Sequence, residues 1–417
     1  MNVNRAYKTE IDPNRVQRTL LEKHAGVARF AWNWALSRRI EEYKLTGKSS
    51  NAIEQHRQLN SLKPTEFPWM YEVSKCAPQE ALRDLDKAFR NFFAKRASYP
   101  RFKSKKRGLG GFRLTGSIAV ESGRIKLPRV GWVRLKESGY LPTTGKINSV
   151  TVKERAGRWF VSVQSEEQIV VLKNQGPAVG LDLGLKSFVV GSDGLSLDAP
   201  KPLLRSINRL RRLSRNHSRK QKGSMNRRRS AKLLAKLHYQ VSCQRADFIH
   251  KTTSRLAKTK SVIVVEDLNV GGMLKNHRLA RSISDAGWSE FVRQLEYKTA
   301  WRGGLVIKAG RFFPSTKTCS GCGAIKGEMP LSERVYSCDG CGLVIDRDAN
   351  AAKNLLSLSS ASSARFQACG DLPLGGSAKQ EPSVANGEQV SENGSNPPGS
   401  IATGESRRIL TYPQDST

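Results

Sequence analysis

The sequence predicts a multidomain α/β protein, and three observations carry that prediction. Apolar residues recur at helical spacing through the first hundred positions. From about Phe112 to Gln168 the period switches to two. From Gly176 to Leu356, strand-like runs alternate with long helical ones, the order of an α/β domain. The expected regions are a strand plus helices over 1–111, a β-rich, barrel-like region over 112–175 and the α/β domain over 176–356. The remainder, 357–417, is rich in Ser, Gly, Asn and Pro and carries four basic residues against six acidic ones. It has too little apolar surface to order itself and is expected to be disordered.

In the first region Asp12-Pro13 marks a helix start, with Asp as N-cap and Pro at the first helical position. Val27, Phe30, Ala31 and Trp34 follow on one face. A second helix carries Leu82, Leu85, Phe89, Phe92 and Phe93, which read as core rather than as stacking platforms for bases. The connector from Tyr99 to Arg113, YPRFKSKKRGLGGFR, reads equally as a solvated linker or as a phosphate contact with Phe102 and Phe112 interleaved.

In the β-rich region Ile125 and Leu127, then Val133 and Leu135, alternate with basic residues. Val150 and Val152 are expected to face Trp159, Val161 and Val163 across a turn containing Gly157, in an antiparallel sheet or small barrel.

The 417-residue chain has a net charge of +35, which calls for a polyanionic partner. Nucleic acid fits, because neutralised phosphates release counterions. No apolar run approaches the roughly 18 residues of a spanning helix, and Met1 to Pro13 lacks the apolar core of a signal peptide. A membrane is therefore not expected as partner, and the protein reads as cytosolic. Within the α/β domain, residues 201–260 hold nineteen Lys or Arg and one acid, Asp247. The centre of that run, with Arg211, Arg212, Arg215, Arg219, Lys220, Lys222, Arg227, Arg228 and Arg229, is the expected nucleic-acid contact.

Cys319 and Cys322 form one CxxC pair and Cys338 and Cys341 a second. Such knuckles converge four thiolates on one Zn2+ in a ribbon over 314–345. With all four positions filled by Cys, the zinc is expected to be structural. Cys76, Cys243 and Cys369 read as ordinary thiols.

Three acids stand at informative places. Asp182 lies in a strand whose Val179, Leu181 and Leu183 face one way and whose Gly180, Asp182 and Gly184 face the other. The glycines are expected to leave room for a metal or phosphate. A carboxylate follows the apolar run SVIVV, at the strand end where α/β sheets bind ligands. The residues alone do not choose between Glu266 and Asp267, which is also a candidate cap of the next helix. Asp348 shares a helical face with Ala351, Ala352 and Leu355, with capping open to it and expected of Asp346. Carboxylates brought together need cations, and Mg2+ or Mn2+ can support phosphodiester hydrolysis there.

GLDLGLKSFVVGSDG, VVEDLNV, SISDAGWSEFVRQLEYKTAWRGG, FFPSTKTCSGCG and DRDANAAKNLL occur in this order. They resemble the signature blocks of the TnpB (OrfB) family of bacterial insertion sequences, as do VARFAWNWAL, ALRDLDKAFRNFF and YPRFKSK, over roughly residues 1–356. The resemblance implies an RNase H-like, RuvC-type nuclease domain with the four-cysteine zinc ribbon inserted before its last helix. It implies Asp182, Glu266 and Asp348 as metal-binding catalytic acids. It further implies kinship with type V CRISPR effectors, a guide RNA from the transposon end, a double-stranded DNA target with a short adjacent motif, and action at the bacterial nucleoid. The helix-turn-helix-like N-terminal part would hold heteroduplex and target-adjacent DNA, and the wedge-like β-rich part the RNA scaffold. The alternatives are a non-enzymatic regulator of transposition and a strand-joining transposase. Arg334 is a weaker candidate for organising the site, and Asn350 is expected to brace the helix start.

Overall fold

A computed structural model describes residues 1–330 and 332–368. The chain opens on β1 (Asn2–Asp12), followed by α1 (Arg15–Thr46), α2 (Ala52–Leu62) and α3 (Cys76–Phe93). Six strands follow: β2 (Gly111–Leu114), β3 (Ala119–Glu121), β4 (Arg124–Leu127), β5 (Gly131–Leu135), β6 (Lys146–Arg155) and β7 (Arg158–Gln168). With β1 they form an antiparallel sheet in the order β2-β6-β7-β1-β5-β4-β3. Val150 pairs with Val163 and Val152 with Val161, as the alternation predicts. Among the described residues no pairing joins β2 to β3, so the expected barrel-like closure is not reached.

The first strand belongs to this sheet rather than with the helices. β1 lies between β7 and β5, with Ile11 opposite both Trp159 and Leu135. Pairing on both edges satisfies its backbone groups, which an isolated strand could not do. The strand also claims Asp12, which pairs with Arg134 in register and with Lys136 through its side chain at 3.1 Å. The cap of α1 is therefore Asn14, not Asp12. Its Oδ1 accepts from the Gln17 amide, and the Gln17 side chain accepts from the Asn14 amide.

Helices α1–α3 and the sheet share one core, from Ile11, Leu21 and Leu36 through Leu82, Leu85 and Phe89 to Val161 and Val163. Phe93 departs from the expected stripe and is 74% exposed. It ends α3, stacks on Phe89 and lies tilted against Phe92. The Tyr99–Arg113 connector is docked, not free. Trp32 Nε1 donates to the Arg101 carbonyl at 3.0 Å, Asn33 bonds both backbone groups of Lys103, and Phe112 is buried while Phe102 is exposed.

The second half begins with β8 (Val179–Asp182), β9 (Ser187–Gly191) and β10 (Ser196–Asp198). A basic helical hairpin, α4 (Pro202–Ser218) and α5 (Met225–Thr259), leads to β11 (Val262–Glu266). Then come α6 (Val270–Met273), α7 (Ala280–Ala286), α8 (Trp288–Ala300) and β12 (Leu305–Ala309). The sheet order is β10-β9-β8-β11-β12, antiparallel through β8 and parallel among β8, β11 and β12. On one face Val179, Leu181 and Val265 pack with Ile249, Phe291 and Leu295 of α5 and α8. The short hairpin β13 (Val335–Ser337) and β14 (Val344–Asp346) precedes α9 (Arg347–Ala368), which covers the other face. Helix α9 continues past Ser357, so the first twelve residues of the expected disordered tail are helical; Leu358 packs beside Leu355 and Val264 and carries the helix on. The rest of that tail, with Cys369, lies outside the described residues. Among the described residues Cys76 is buried and Cys243 exposed, and no helix is long and apolar enough to cross a membrane.

The contact of α9 on β8 depends on Gly180. A Cβ there would lie 2.0 Å from the Ala352 carbonyl oxygen and 2.5 Å from the Leu356 nitrogen, both backbone atoms of α9. The glycine thus admits the helix backbone rather than the ligand expected from sequence. Gly184 likewise faces the Ser187 carbonyl, 2.7 Å from an added Cβ. Gly180→Ala should lower stability by about 1–3 kcal/mol or more, since the helix must lift as a unit. A melting temperature equal to that of the parent would contradict this packing.

Candidate active site

Strands β8 and β11 run parallel with Leu181 opposite Val265. The next residues, Asp182 and Glu266, therefore leave the sheet at the same carboxyl end and on the face covered by α9. Asp348 lies in the first turn of α9. Asp182 is 8% exposed. Burial, then repulsion from Glu266 and Asp348, pushes its carboxyl up to about 8, against a smaller opposing pull from Arg347. Asp182 thus lies within electrostatic reach of both other carboxylates.

The neighbours divide the candidate acids. Ser315, 3% exposed, donates its hydroxyl to Glu266 Oε1 at 2.6 Å. Asp267 turns away to Arg311 at 3.1 Å, and the cap of α6 is Asn269, not Asp267. Asp346 caps α9 by accepting from the amides of Asp348 and Ala349 at 2.9 and 3.1 Å, which leaves the Asp348 side chain free of that task. Arg347 lies 3.5 Å and Arg334 4.0 Å from the Asp348 carboxylate. Arg334 is thus brought to the acids from the loop between the knuckles.

Among the described residues, the four cysteines are the group whose ligand atoms all lie within 4.8 Å of one another. The Cys319–Cys341 and Cys322–Cys338 sulfurs are 3.6 Å apart. A tetrahedral thiolate centre with metal–sulfur bonds of about 2.3 Å would set its sulfurs about 3.8 Å apart. The amides of Cys322 and Gly321 point at Cys319 Sγ and hold its thiol down to about 6, and Tyr336 is buried against this knuckle. The carboxylates of Asp182, Glu266 and Asp348 are not gathered as closely as the four thiols.

Asn350 braces the start of α9, as expected, by holding it to the ribbon. Its side chain reaches out of α9, donating to the Thr318 carbonyl at 2.7 Å and accepting from the Ser320 amide at 2.9 Å. One turn on, Asn354 donates to the carbonyls of Ser315 and Thr318 at 2.7 and 2.6 Å. These two residues tie the ribbon to the helix that carries Asp348. Sequence reasoning missed Asn354 and Ser315; the four-residue spacing of the two Asn was the available signal.

Comparison with known proteins covers the segments that hold these residues. Residues 160–277 match the OrfB family model of IS605 elements, described as a probable transposase. Residues 288–355 match the TNB domain of Cas12f1-like proteins, and residues 1–48 a helix-turn-helix domain. A Streptomyces pristinaespiralis protein named as an RNA-guided DNA endonuclease is 39% identical over 88% of this chain and 92% of its own length. The chain belongs to the TnpB (OrfB) family. An Escherichia coli K12 relative with the same description, InsQ, is 34% identical over 90% of this chain and 97% of its own. The fold is similar to that of Cas12f1 in its complex with guide RNA and target DNA, with a TM-score of 0.54 at 13% identity, over 85% of this chain and 98% of that one. In this TnpB-family chain the segment matching a helix-turn-helix is a strand followed by a single 32-residue helix.

The basic run of this TnpB protein forms the tip of the α4–α5 hairpin. Arg211, Arg212, Arg215, Arg219, Lys222, Arg228 and Arg229 are exposed, and among the described residues none pairs with a carboxylate. Lys220 is half-buried. Arg227 is turned inward, donating to the carbonyls of His217 and Lys220 at 3.1 and 2.8 Å, so its place is to close the turn. At the base, buried Asp285 accepts from the amides of Leu203 and Leu204 and from Arg245 at 2.7 Å, fixing the start of α4.

Without a cation, folded protein keeps the Asp182 proton up to about pH 8, while the unfolded chain releases it near pH 3.8. The folded state then binds the extra proton between those values, and stability falls as pH rises through that window. Denaturation in buffer free of magnesium and manganese should show this fall, and Asp182→Asn should flatten it. An equal slope in the variant would remove Asp182 as its source.

Proposed function

We propose that this protein is an RNA-guided DNA endonuclease of an insertion sequence, with Asp182, Glu266 and Asp348 as its catalytic acids. The observation that carries the reading is the buried Asp182, set beside Glu266 at one sheet end with Asp348 on the covering helix, in a strongly basic chain. Family relatives named as RNA-guided DNA endonucleases supply the substrate class. The sheet order, with an antiparallel part followed by two parallel strands and a covering helix, supports an RNase H-like, RuvC-type assignment.

Mg2+ or Mn2+ bound by the acids would neutralise them, activate a water and stabilise the leaving oxygen of a phosphodiester. Asp182, the most buried of the three, would hold a cation together with Glu266 and Asp348. Ser315 orients Glu266 through its hydroxyl. Arg334 and Arg347 offset part of the charge of Asp348 and would attract a phosphate brought to it. Zn2+ in the four-cysteine site would be structural, since no ligand position is left for water.

A guide RNA from the transposon end would pair with target DNA beside a short motif, so that pairing carries most of the specificity. The exposed arginines of the α4–α5 hairpin would hold nucleic-acid backbone.

Protein purified with its RNA should cut a matched DNA in Mg2+ and leave free ends. Asp182→Ala, Glu266→Gln and Asp348→Ala should each lose at least roughly 100-fold in rate, whereas Asp267→Asn should stay near the parent. Equal cutting by Asp182→Ala, or joined rather than free ends, would overturn the reading.

Replacing Arg211, Arg212 and Arg215 together with Gln should reduce the slope of log affinity against log salt by about two to three. Arg227→Gln should instead lower the melting temperature and leave that slope unchanged. The opposite pattern would reassign the hairpin.

A further inference from the structure

Glu266 is held by a neutral partner, whereas the acids around it are held by cations. The Ser315 hydroxyl donates to Glu266 Oε1 at 2.6 Å, a length typical of a bond from a hydroxyl to an ionised carboxylate. Among the described residues no other hydrogen bond and no ion pair reaches that carboxylate, so Oε2 is left without a partner. Asp267 is met instead by Arg311 at 3.1 Å, and Asp348 by Arg347 and Arg334 at 3.5 and 4.0 Å. A guanidinium offsets the charge of the acid it holds. A hydroxyl orients the acid and leaves its charge to a cation.

The hydroxyl is placed by contacts in which it takes no part. The Ser315 amide donates to the Phe313 carbonyl at 2.8 Å, and Phe313 packs beside Val264 and Leu355. The Ser315 carbonyl accepts from Asn354 Nδ2 at 2.7 Å, and the same amide group reaches the Thr318 carbonyl at 2.6 Å. Ser315 is 3% exposed and Asn354 6%. The main chain of the loop is therefore fixed by β11, α9 and its own turn, and the side chain is free to serve Glu266.

Three carboxylates are a donor set for a hard divalent cation. Mg2+ and Ca2+ differ in what they ask of one carboxylate. Mg2+ binds oxygens at about 2.0–2.1 Å in octahedral geometry and keeps several waters, so single oxygens suffice. Ca2+ binds at about 2.3–2.6 Å, takes more oxygens and accepts both from one carboxylate. Turning both Glu266 oxygens to one ion would strain or break the bond from Ser315. That cost falls on the calcium mode of binding and spares the magnesium mode.

We propose that Ser315 is a positioning residue that keeps Glu266 a one-oxygen ligand and thereby sets the preference of the acid site for Mg2+ over Ca2+. The proposal rests on the three-acid reading above and adds to it a residue that selects the cation.

The test is displacement of Mn2+ from the full chain freed of RNA, read by the electron paramagnetic resonance of released Mn2+. Mg2+ and Ca2+ are the competitors, and Asp182→Ala gives the background. Ser315→Ala should lower the ratio of Mg2+ to Ca2+ affinity by roughly tenfold. Its melting temperature should stay near the parent's, since the main-chain anchors remain. Ser315→Thr keeps the donor and should keep the parent's ratio. In the RNA-loaded protein, Ca2+ should inhibit Mg2+-supported cutting by Ser315→Ala at roughly tenfold lower concentration than in the parent. Should Ser315→Ala not fold, the Thr variant decides: a retained ratio supports the proposal and a fallen one overturns it. An unchanged ratio in Ser315→Ala, or an equal loss in both variants, would overturn the proposal and leave the three-acid reading standing. No Mn2+ bound by the parent above the Asp182→Ala background would sink both.

Discussion

A carboxylate buried beside two others is unfavourable unless a cation joins them, and the nuclease half is built to hold Asp182 in that position. Two parallel strands carry Asp182 and Glu266 to one sheet end in register. The third acid arrives only because α9 lies close enough for its backbone to touch Gly180. The helix approach and the acid cluster are thus one constraint. Whatever lifts α9 would also move Asp348 away from Asp182 and Glu266.

The four-cysteine ribbon is coupled to the same helix. Asn350 and Asn354 hold the segment from Ser315 to Ser320, and Ser315 in turn holds Glu266. The ribbon also brings Arg334 to Asp348. A structural metal would therefore act on the site at a distance, by fixing the loop that orients one acid and flanks another. The basic hairpin is fixed from the opposite side of the sheet, where Asp285 accepts from the first amides of α4. Its exposed charge is left to an external polyanion.

Much of this was legible in the sequence, because the deciding signals were local. Alternation fixed the pairing of Val150 and Val152 with Val163 and Val161, and the two CxxC pairs met as their spacing implies. What was not legible depended on contacts distant in sequence. β1 reads as a preface to the helices, yet its partners are more than a hundred residues away. That pairing is also why Asp12 is a strand residue and Asn14 the cap. Gly180 reads as space for a ligand until α9 is seen filling it. Arg227 is indistinguishable by composition from Arg228, and only the turn geometry points one inward and the other out. Phe93 continues the helical stripe in sequence, but the core ends before it does.

Anomalous scattering from manganese-loaded crystals of the whole protein tests most directly whether the three acids share a cation. Manganese is expected between the carboxylates of Asp182, Glu266 and Asp348, with Asp182 touching it. Manganese absent from that cluster, or held by Asp267 and Asp346 instead, would contradict the account.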